Sequence, residues 1–356
     1  MQPQFTKSDY SGQNIYTGID VHLKSWNITV MMDSVYQRTF SQPPSPLALF
    51  KHLNTNYPGA TYFSAYEAGF SGFWAHYQLL KLGINSMVVN AADVPTTGKE
   101  KIQKDDSRDS RKIARCLKNG ELIPIYVPSL VTLGNRTLVR HRQTVSKDLA
   151  RVKCRIKSFL NFTGIEIPEE FKGNTWSRKF VQWLKDLEFS SSCRLSLNGH
   201  LSIFHNLHQE KANIKRQIKL LAESPSYKED VELLLSIPGI GLITAMIILT
   251  ELENMERFKS FDKLCSFIGL VPSTRSSGEK ERVGDITPRG HKILRTAIME
   301  SSWKAVAGDP ALGLCYNKLC KRMKPQKAII RIAKKLMSRI RHVLKTRNRY
   351  ELGVIG

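Results

Sequence analysis

Asp105, Asp106 and Asp109 crowd into the stretch KDDSRDS of a chain whose charge otherwise runs the other way, with 54 Lys+Arg against 31 Asp+Glu. Asp106 stands three before Asp109 and Asp105 four before it, so either can share a helix face with Asp109. Two further acids close short apolar runs, Asp20 in NIYTGIDVH and Glu67 in ATYFSAYEAG. Hard carboxylate oxygens gathered at one point suit Mg²⁺. Two such ions can hold the attacking and leaving oxygens of an in-line phosphoryl transfer. Without a cation the gathering is unfavourable, because like charges raise one another's pKa. Singly, each acid has a plainer role: Asp106 and Asp109 against the helix dipole with Asp105 or Asp106 as cap, Glu67 capping AGFSG, and Asp20 beginning a turn. Only a fold that brings Asp20, Glu67, Asp106 and Asp109 together makes them a site.

The elements that would do so are legible along the first part of the chain. NIYTGIDVH, SWNITVMMD and SVYQRTF read as three consecutive strands, and ATYFSAYEAG and INSMVV as two more. SPLALFKHLNTNYPG has helical spacing, with Leu47, Phe50 and Leu53 on one face and Pro-Gly as its stop. SGFWAHYQLLKLG reads as a helix with a Ser cap and a terminal Gly, and a last helix is expected from about Asp106 to Asn119. The order β-β-β-α-β-α-β-α is that of the RNase H-like fold, in which strand ends lie side by side and the last helix packs next to them.

Two apolar stripes follow, Val145, Leu149, Val152, Ile156 and Phe159, then Leu197, Phe204, Leu207, Ile214, Ile218 and Leu221, separated by a Pro/Gly-containing insert around 165–190. They predict an antiparallel or intermolecular coiled coil, or an ordinary helical hairpin. The polar face of the first stripe is crowded with basic residues, among them Arg140, Arg142, Arg151 and Lys153. The final stretch, 321–356, holds twelve Lys and Arg against one Glu, yet Ile329, Ile332, Ala333, Leu336, Ile340 and Leu344 form a stripe within it. It should therefore be a docked basic helix and not a loose tail. The fold class expected is α/β followed by all-α, with domains over 1–130, 131–225 and 226–356.

A formal net charge of +23 is costly in self-repulsion unless a polyanion neutralises it, and nucleic acid is the commonest one. No stretch approaches a spanning helix, residues 1–14 lack the apolar run of a signal peptide, and the six cysteines form neither CxxC nor zinc spacing. Reduced thiols in a cytoplasmic, nucleoid-associated protein are the expectation. SIPGIGLITA, Ser236 to Ala245, resembles a helix-hairpin-helix, where Gly239 and Gly241 would let the backbone approach a phosphate at a helix N-terminus. SSGEKERVGDITPRG reads as an exposed loop running into a helix at about Gly290. Ser276 and Ser277 turn there among Arg275, Lys280, Arg282 and Arg289, candidates for nucleic-acid contact, with Arg275, Lys280 and Arg289 also candidates for stabilising transition-state charge.

These blocks, in this order, resemble the DEDD-type transposases of the insertion sequence 110 family, which includes Piv-like DNA invertases. YEAGFSGFWAHYQLLKLGI, KDDSRDSRKIARCLKNGEL, IPGIGLITAMIILTEL and GLVPSTRSSGEKERVGDITPRGHKILRTAIMESSW carry the likeness across nearly the whole chain. The resemblance implies a RuvC-like N-terminal domain, a coiled-coil linker and a C-terminal transposase domain. It also implies Mg²⁺ held by Asp20, Glu67, Asp106 and Asp109. The family's Lys-x-Asp-x-x-Asp pattern falls on Lys104, Asp106 and Asp109 and leaves Asp105 outside it. A serine before a glycine, Ser277 with Ser276 as the alternative, would be the nucleophile. Implied partners are donor and target DNA, a guiding bridge RNA, and further copies of the chain in dimers to tetramers. The competing enzyme is a RuvC-like endonuclease that uses water. The competing non-enzyme is a nucleic-acid-binding regulator.

Overall fold

The structure, a computed structural model, describes residues 9–33, 35–96, 105–173, 176–277 and 280–352; Lys104 and the side chains of Asp106 and of residues 274–283 lie outside that description. The chain divides into two compact units, Met1–Val127 and Pro128–Gly356. No helix among the described residues is long and apolar enough to cross a membrane. All six cysteines are unpaired.

In the first unit β1 (Asn14–Val21), β2 (Trp26–Met32) and β3 (Val35–Gln42) form an antiparallel meander. After α1 (Pro46–Asn56), β4 (Thr61–Glu67) joins β1 in parallel, and after α2 (Trp74–Lys81), β5 (Asn85–Val89) joins β4 in parallel. The resulting order β3-β2-β1-β4-β5 is that of an RNase H-like sheet. Side chains alternate along each strand. Ile15 and Ile19 of β1, with Trp26, Ile28, Val30, Tyr62 and Tyr66, therefore build a core with Leu49, Leu53 and Leu79 of α1 and α2. Leu47 is half exposed, because the buried face of α1 runs through Pro46, Leu49 and Leu53, one position off the face expected. Nor does a serine cap α2: its first turn is received by the Tyr66 hydroxyl, which accepts from the His76 N–H at 3.3 Å and donates to the Gly72 carbonyl at 3.1 Å. Burial pushes the Tyr66 phenol up to about 12, so it serves throughout as a neutral donor.

The opposite face of the sheet is covered by α3 (Asp106–Lys118), whose Ile113 and Cys116 pack with Ala65 and Val89. Gly18 sets the distance. A Cβ there would lie 2.1 Å from the Ser110 carbonyl oxygen and 2.3 Å from the Ala114 nitrogen, so only a bare Cα admits the helix backbone. Beside this contact the Ser110 and Thr29 hydroxyls bond at 2.9 Å in the buried interface. Gly18→Ala is expected to push α3 off the sheet and cost about 3 kcal/mol or more, measured by urea unfolding of the purified protein.

The second unit opens with α4 (Leu130–Phe162) and α6 (Ser191–Ala222). Val139 and Val145 early in α4 share a core with Ile214, Ile218 and Ala222 late in α6, whereas Leu149, Val152, Ile156 and Leu160 meet Leu197, Leu201 and Phe204. The two helices thus form an antiparallel hairpin within one chain. The insert between them folds as well: α5 (Arg178–Asp186) places Phe180 and Leu184 in the hairpin's core, with Trp176 stacked against Phe204. Further on come α7 (Lys228–Leu235), α8 (Leu242–Leu252), α9 (Phe261–Ile268), α10 (Lys292–Gly308), α11 (Pro310–Cys320) and the basic α12 (Pro325–Thr346). Ile329, Ile332, Ala333, Leu336 and Ile340 of α12 are buried in the same core, so the basic helix is docked as its stripe required.

Candidate active site

Asp20 and Glu67 each stand one residue past the last pair of the parallel β1–β4 ladder, Ile19↔Tyr66. They share the phase of Gly18 and Ala65 and so belong to the face that α3 covers. Asp20 lies opposite Asn27 of β2, and its Oδ2 meets His22 Nε2 at 3.0 Å. Asp105 is the N-cap of α3, its Oδ1 accepting from the Ser107 N–H at 3.3 Å, which leaves Asp106 and Asp109 on the first helical turn. The plainer role foreseen for one aspartate of the cluster is the one Asp105 fills.

Lys112, which the sequence reading overlooked, sits between two of these acids. Its Nζ lies 3.2 Å from Asp109 Oδ1 and 3.6 Å from Glu67 Oε1, and its side chain is about nine-tenths buried. Burial pulls the ammonium down, but the Asp109 and Glu67 carboxylates outweigh it and push it up, so it remains a cation. The signal was available: Lys112 follows Asp109 by three and must share its face. Glu67 and Asp109, brought from a strand end and a helix start, converge on one point already able to seat a positive charge. Hard oxygens around such a point fit a divalent cation. Among the described residues no three of His, Cys, Asp and Glu approach closely enough to hold one by themselves.

In the second unit the segment read as an exposed loop is instead a β-hairpin, β6 (Pro272–Ser277) with β7 (Lys280–Ile286). The physical reason is in the sequence: Gly278 and Glu279 alone separate two runs that can pair, the spacing of a tight hairpin. Arg275 pairs with Arg282, Ser276 with Glu281 and Ser277 with Lys280, which puts both serines at the closed end. The side chains of Arg275, Ser276, Ser277, Lys280 and Arg282 lie outside the described residues. Arg289 is exposed, with its N–H on Thr287 Oγ1 at 3.2 Å.

Sequence reasoning also missed a buried acid of the second unit. Glu251 is fully buried in α8, where it accepts from Arg140 Nε and Nη2 at 2.7 and 2.8 Å and lies 3.2 Å from Arg136 and 3.1 Å from His291 Nε2. His291 caps α10 five residues past the end of β7, its Nδ1 accepting from the Leu294 N–H. Burial alone would push the Glu251 carboxyl up; the bonds from His291 and Arg140 and their charges hold it at about 2. The one acid in the apolar run MIILTEL was the clue, since a buried charge demands partners. Arg140, expected on a solvated basic face, is one of them.

The IPGIG turn divides its glycines. Gly239 has φ of +89°, and a Cβ on it would lie 2.5 Å from the Ser301 carbonyl and 2.7 Å from the Ala305 nitrogen of α10. Its close approach is to a helix of its own unit. Gly241 is exposed at the N-terminus of α8, with open space where a Cβ would be.

Comparison with known proteins matches both parts. The family model of the IS110-type DEDD transposases covers residues 17–165, from the strand of Asp20 through α3 and into α4. The model described as Transposase IS116/IS110/IS902 family covers residues 231–317, from the IPGIG turn through the serine hairpin. A transposase of Sinorhizobium fredii named y4qE is 26% identical over 81% of this chain and 66% of its own length. The transposase for insertion sequence element IS1533 of Leptospira borgpetersenii is 26% identical over 67% of this chain and 69% of its own. A second Sinorhizobium fredii transposase, y4rJ, is 26% identical over 76% of this chain and 74% of its own. With the acid-bearing sheet in one matched segment and the serine hairpin in the other, the chain belongs to the IS110/IS116/IS902 family of DEDD transposases, enzymes that act on DNA by phosphoryl transfer.

Proposed function

We propose that this protein is the transposase of an insertion sequence that cuts and rejoins DNA through a serine nucleophile, with Asp20, Glu67, Asp106 and Asp109 as the holders of Mg²⁺. The observation that carries the reading is the convergence of Glu67 and Asp109 on the Lys112 ammonium, which makes that point a cation site whatever occupies it. A divalent cation bound there supplies Lewis-acid stabilisation of charge on the phosphoryl oxygens. The chain's own residues do the rest. The Oγ of Ser277, or of Ser276 beside it, forms a bond to phosphorus as the bond to the 3′ oxygen breaks. The serine loses a proton and the departing 3′ oxygen gains one. Attack by the 3′ hydroxyl of another strand reverses the step and frees the serine, so the number of ester bonds is unchanged and no nucleotide triphosphate is needed. Arg275, Lys280 and Arg282 on the hairpin, with Arg289 past its base, are the cations for charge developing in the transition state.

Such an enzyme needs both units, the acids from the first and the serine from the second, and a guide RNA and assembly into dimers and tetramers belong to the same reading. The net charge of +23 supports a polyanionic partner. The test is a suicide substrate with a nicked strand, followed by peptide mapping of the trapped adduct. A phosphoserine at Ser277, absent in Ser277→Ala, is the expected result. A Ser277→Ala, Ser276→Ala double variant that still cuts at the wild-type rate would overturn it in favour of a nuclease using water. RNA co-purifying with the full chain as one discrete species is expected as well.

A further inference from the structure

On α4, Arg142, Leu149 and Lys153 recur at i, i+7 and i+11, and on α6, His208, Lys211, Ala212 and Lys215 recur at i, i+3, i+4 and i+7. Both sets lie on single helix faces. The antiparallel hairpin turns those faces toward each other, and together they line an open crevice of about 260 Å³. The buried Leu149 and the exposed Ala212 line it together with His208 and four basic side chains. The cations are held in place. Lys153 Nζ lies 5.4 Å from the centre of the Trp176 ring and 5.8 Å from that of Phe204, both fixed in the hairpin core. The Arg142 Nε is enclosed and donates to nothing among the described residues.

These charges are uncompensated. The nearest acids along the two helices are spoken for: Glu210 faces His141 at 3.7 Å and Asp148 takes Arg151 at 2.7 Å. Among the described residues no carboxylate pairs with Arg142, Lys153, Lys211 or Lys215. Burial pulls Lys153 down and its neighbours Lys211 and Lys157 pull it further; burial and then Arg142 do the same to Lys211. Like charges gathered this way are unfavourable in the free protein and become favourable when an anion enters between them. Apolar side chains beside four basic ones suit a strand whose sugars meet the apolar atoms while its phosphates meet the cations.

We infer that the crevice between α4 and α6 is a phosphate-backbone site, seating a nucleic-acid strand by its phosphodiesters through Arg142, Lys153, Lys211 and Lys215. The choice of polymer rests on the function proposed above; the anion site rests on the crevice itself. It is a sequence-independent positioning site, remote in sequence from both the acids and the serine hairpin.

The test uses full-length protein, a random-sequence 40-base-pair DNA duplex and an RNA hairpin of matching length, titrated from about 50 to 300 mM KCl without divalent cation. Lys153→Gln, Lys211→Gln in one chain should bind about tenfold more weakly and lower the salt slope by about 2. The free double variant should melt at a higher temperature than wild type, because mutual repulsion is removed. Lys215→Glu, an exposed position that cannot compromise folding, should weaken binding about as much. Loss confined to the duplex names DNA as the strand, and loss confined to the hairpin names RNA. Unchanged affinity and slope on both probes would overturn the inference, as would a change of oligomeric mass at unchanged affinity, which would make the crevice an interface between copies. Ser277→Ala should bind both probes as wild type does, so failure of the nucleophile and failure of the crevice remain distinct.

Discussion

Asp20→Asn is expected to lower strand cleavage by about a thousand-fold or more while the protein melts within a few degrees of wild type. Asp109→Asn is expected to do the same. The carboxylates contribute little to holding the fold: Asp20 and Asp109 lie at a strand end and a first helical turn, both partly exposed. A half-exposed His22 is among the partners of Asp20, and the Lys112 ammonium is among those of Asp109. Asparagine keeps the shape and removes the anionic oxygen on which a cation depends. Losing one hard ligand forfeits several kcal/mol of transition-state charge stabilisation, and about 4 kcal/mol is a factor of about a thousand. The measurement is single-turnover cleavage of a labelled duplex beside a thermal melt of each variant. A variant that binds DNA, folds and still cuts at a tenth of the wild-type rate would show that the carboxylate holds no catalytic cation. Glu67→Gln belongs to the same series, with a difference in the free protein: among the described residues it leaves Lys112 with Asp109 as its one carboxylate partner.

Glu251→Ala has the largest expected effect on stability. The carboxylate is wholly enclosed and carries Arg136, Arg140 and His291, three cationic or donor groups from α4 and from the N-cap of α10. Removing it takes the carboxylate from the largely buried Arg136 and from the half-exposed Arg140, and breaking a buried pair in this way costs about 3–5 kcal/mol. Urea unfolding should show that loss, with α4 and the N-cap of α10 released from α8. Glu251→Gln, which keeps the shape and the hydrogen bonds of one oxygen, should lose less. The pH dependence follows in sign. The folded pKa is held at about 2 against an ordinary 4.5, so the unfolded chain binds the proton more readily. Its contribution is complete above about 4.5 and is lost as the pH falls from there toward 2. A depression of that size is worth about 3 kcal/mol. Glu251→Gln should therefore flatten the acid limb of the stability curve between those values. An acid limb identical to wild type would mean the carboxyl is not held charged.

Glu253, two residues on, ties the same helix end to α4 by a different device. Its carboxylate accepts from the Ser129 N–H and from the Thr132 hydroxyl at 2.7 Å, an acid placed at the N-terminus of a long helix. Two acids in one short stretch thus join α8 to α4, and residues 128–225 share their core with the rest of the second unit.

What could be read from the residue order alone is what depends on period and local chemistry. Alternation in NIYTGIDVH and helical spacing in RKIARCL sufficed for the strand order and for α3, because one buried face per element leaves an unmistakable pattern. The same logic placed the α12 stripe, and Asp105 proved to be the cap that its chemistry allowed. Tertiary structure decided the rest, because it depends on pairs distant in sequence. Gly18 matters only once Ser110 and Ala114 lie across it, and Lys112 only once Glu67 arrives from another strand. Gly239 has the look of a phosphate contact in isolation and becomes a helix contact when α10 packs on it. The basic face of α4 is a single stripe in sequence. Folding splits it into Arg140, locked on Glu251, and Arg142 and Lys153, left uncompensated across from α6. Spacing along a chain determines which residues share a face; only the fold decides what that face meets.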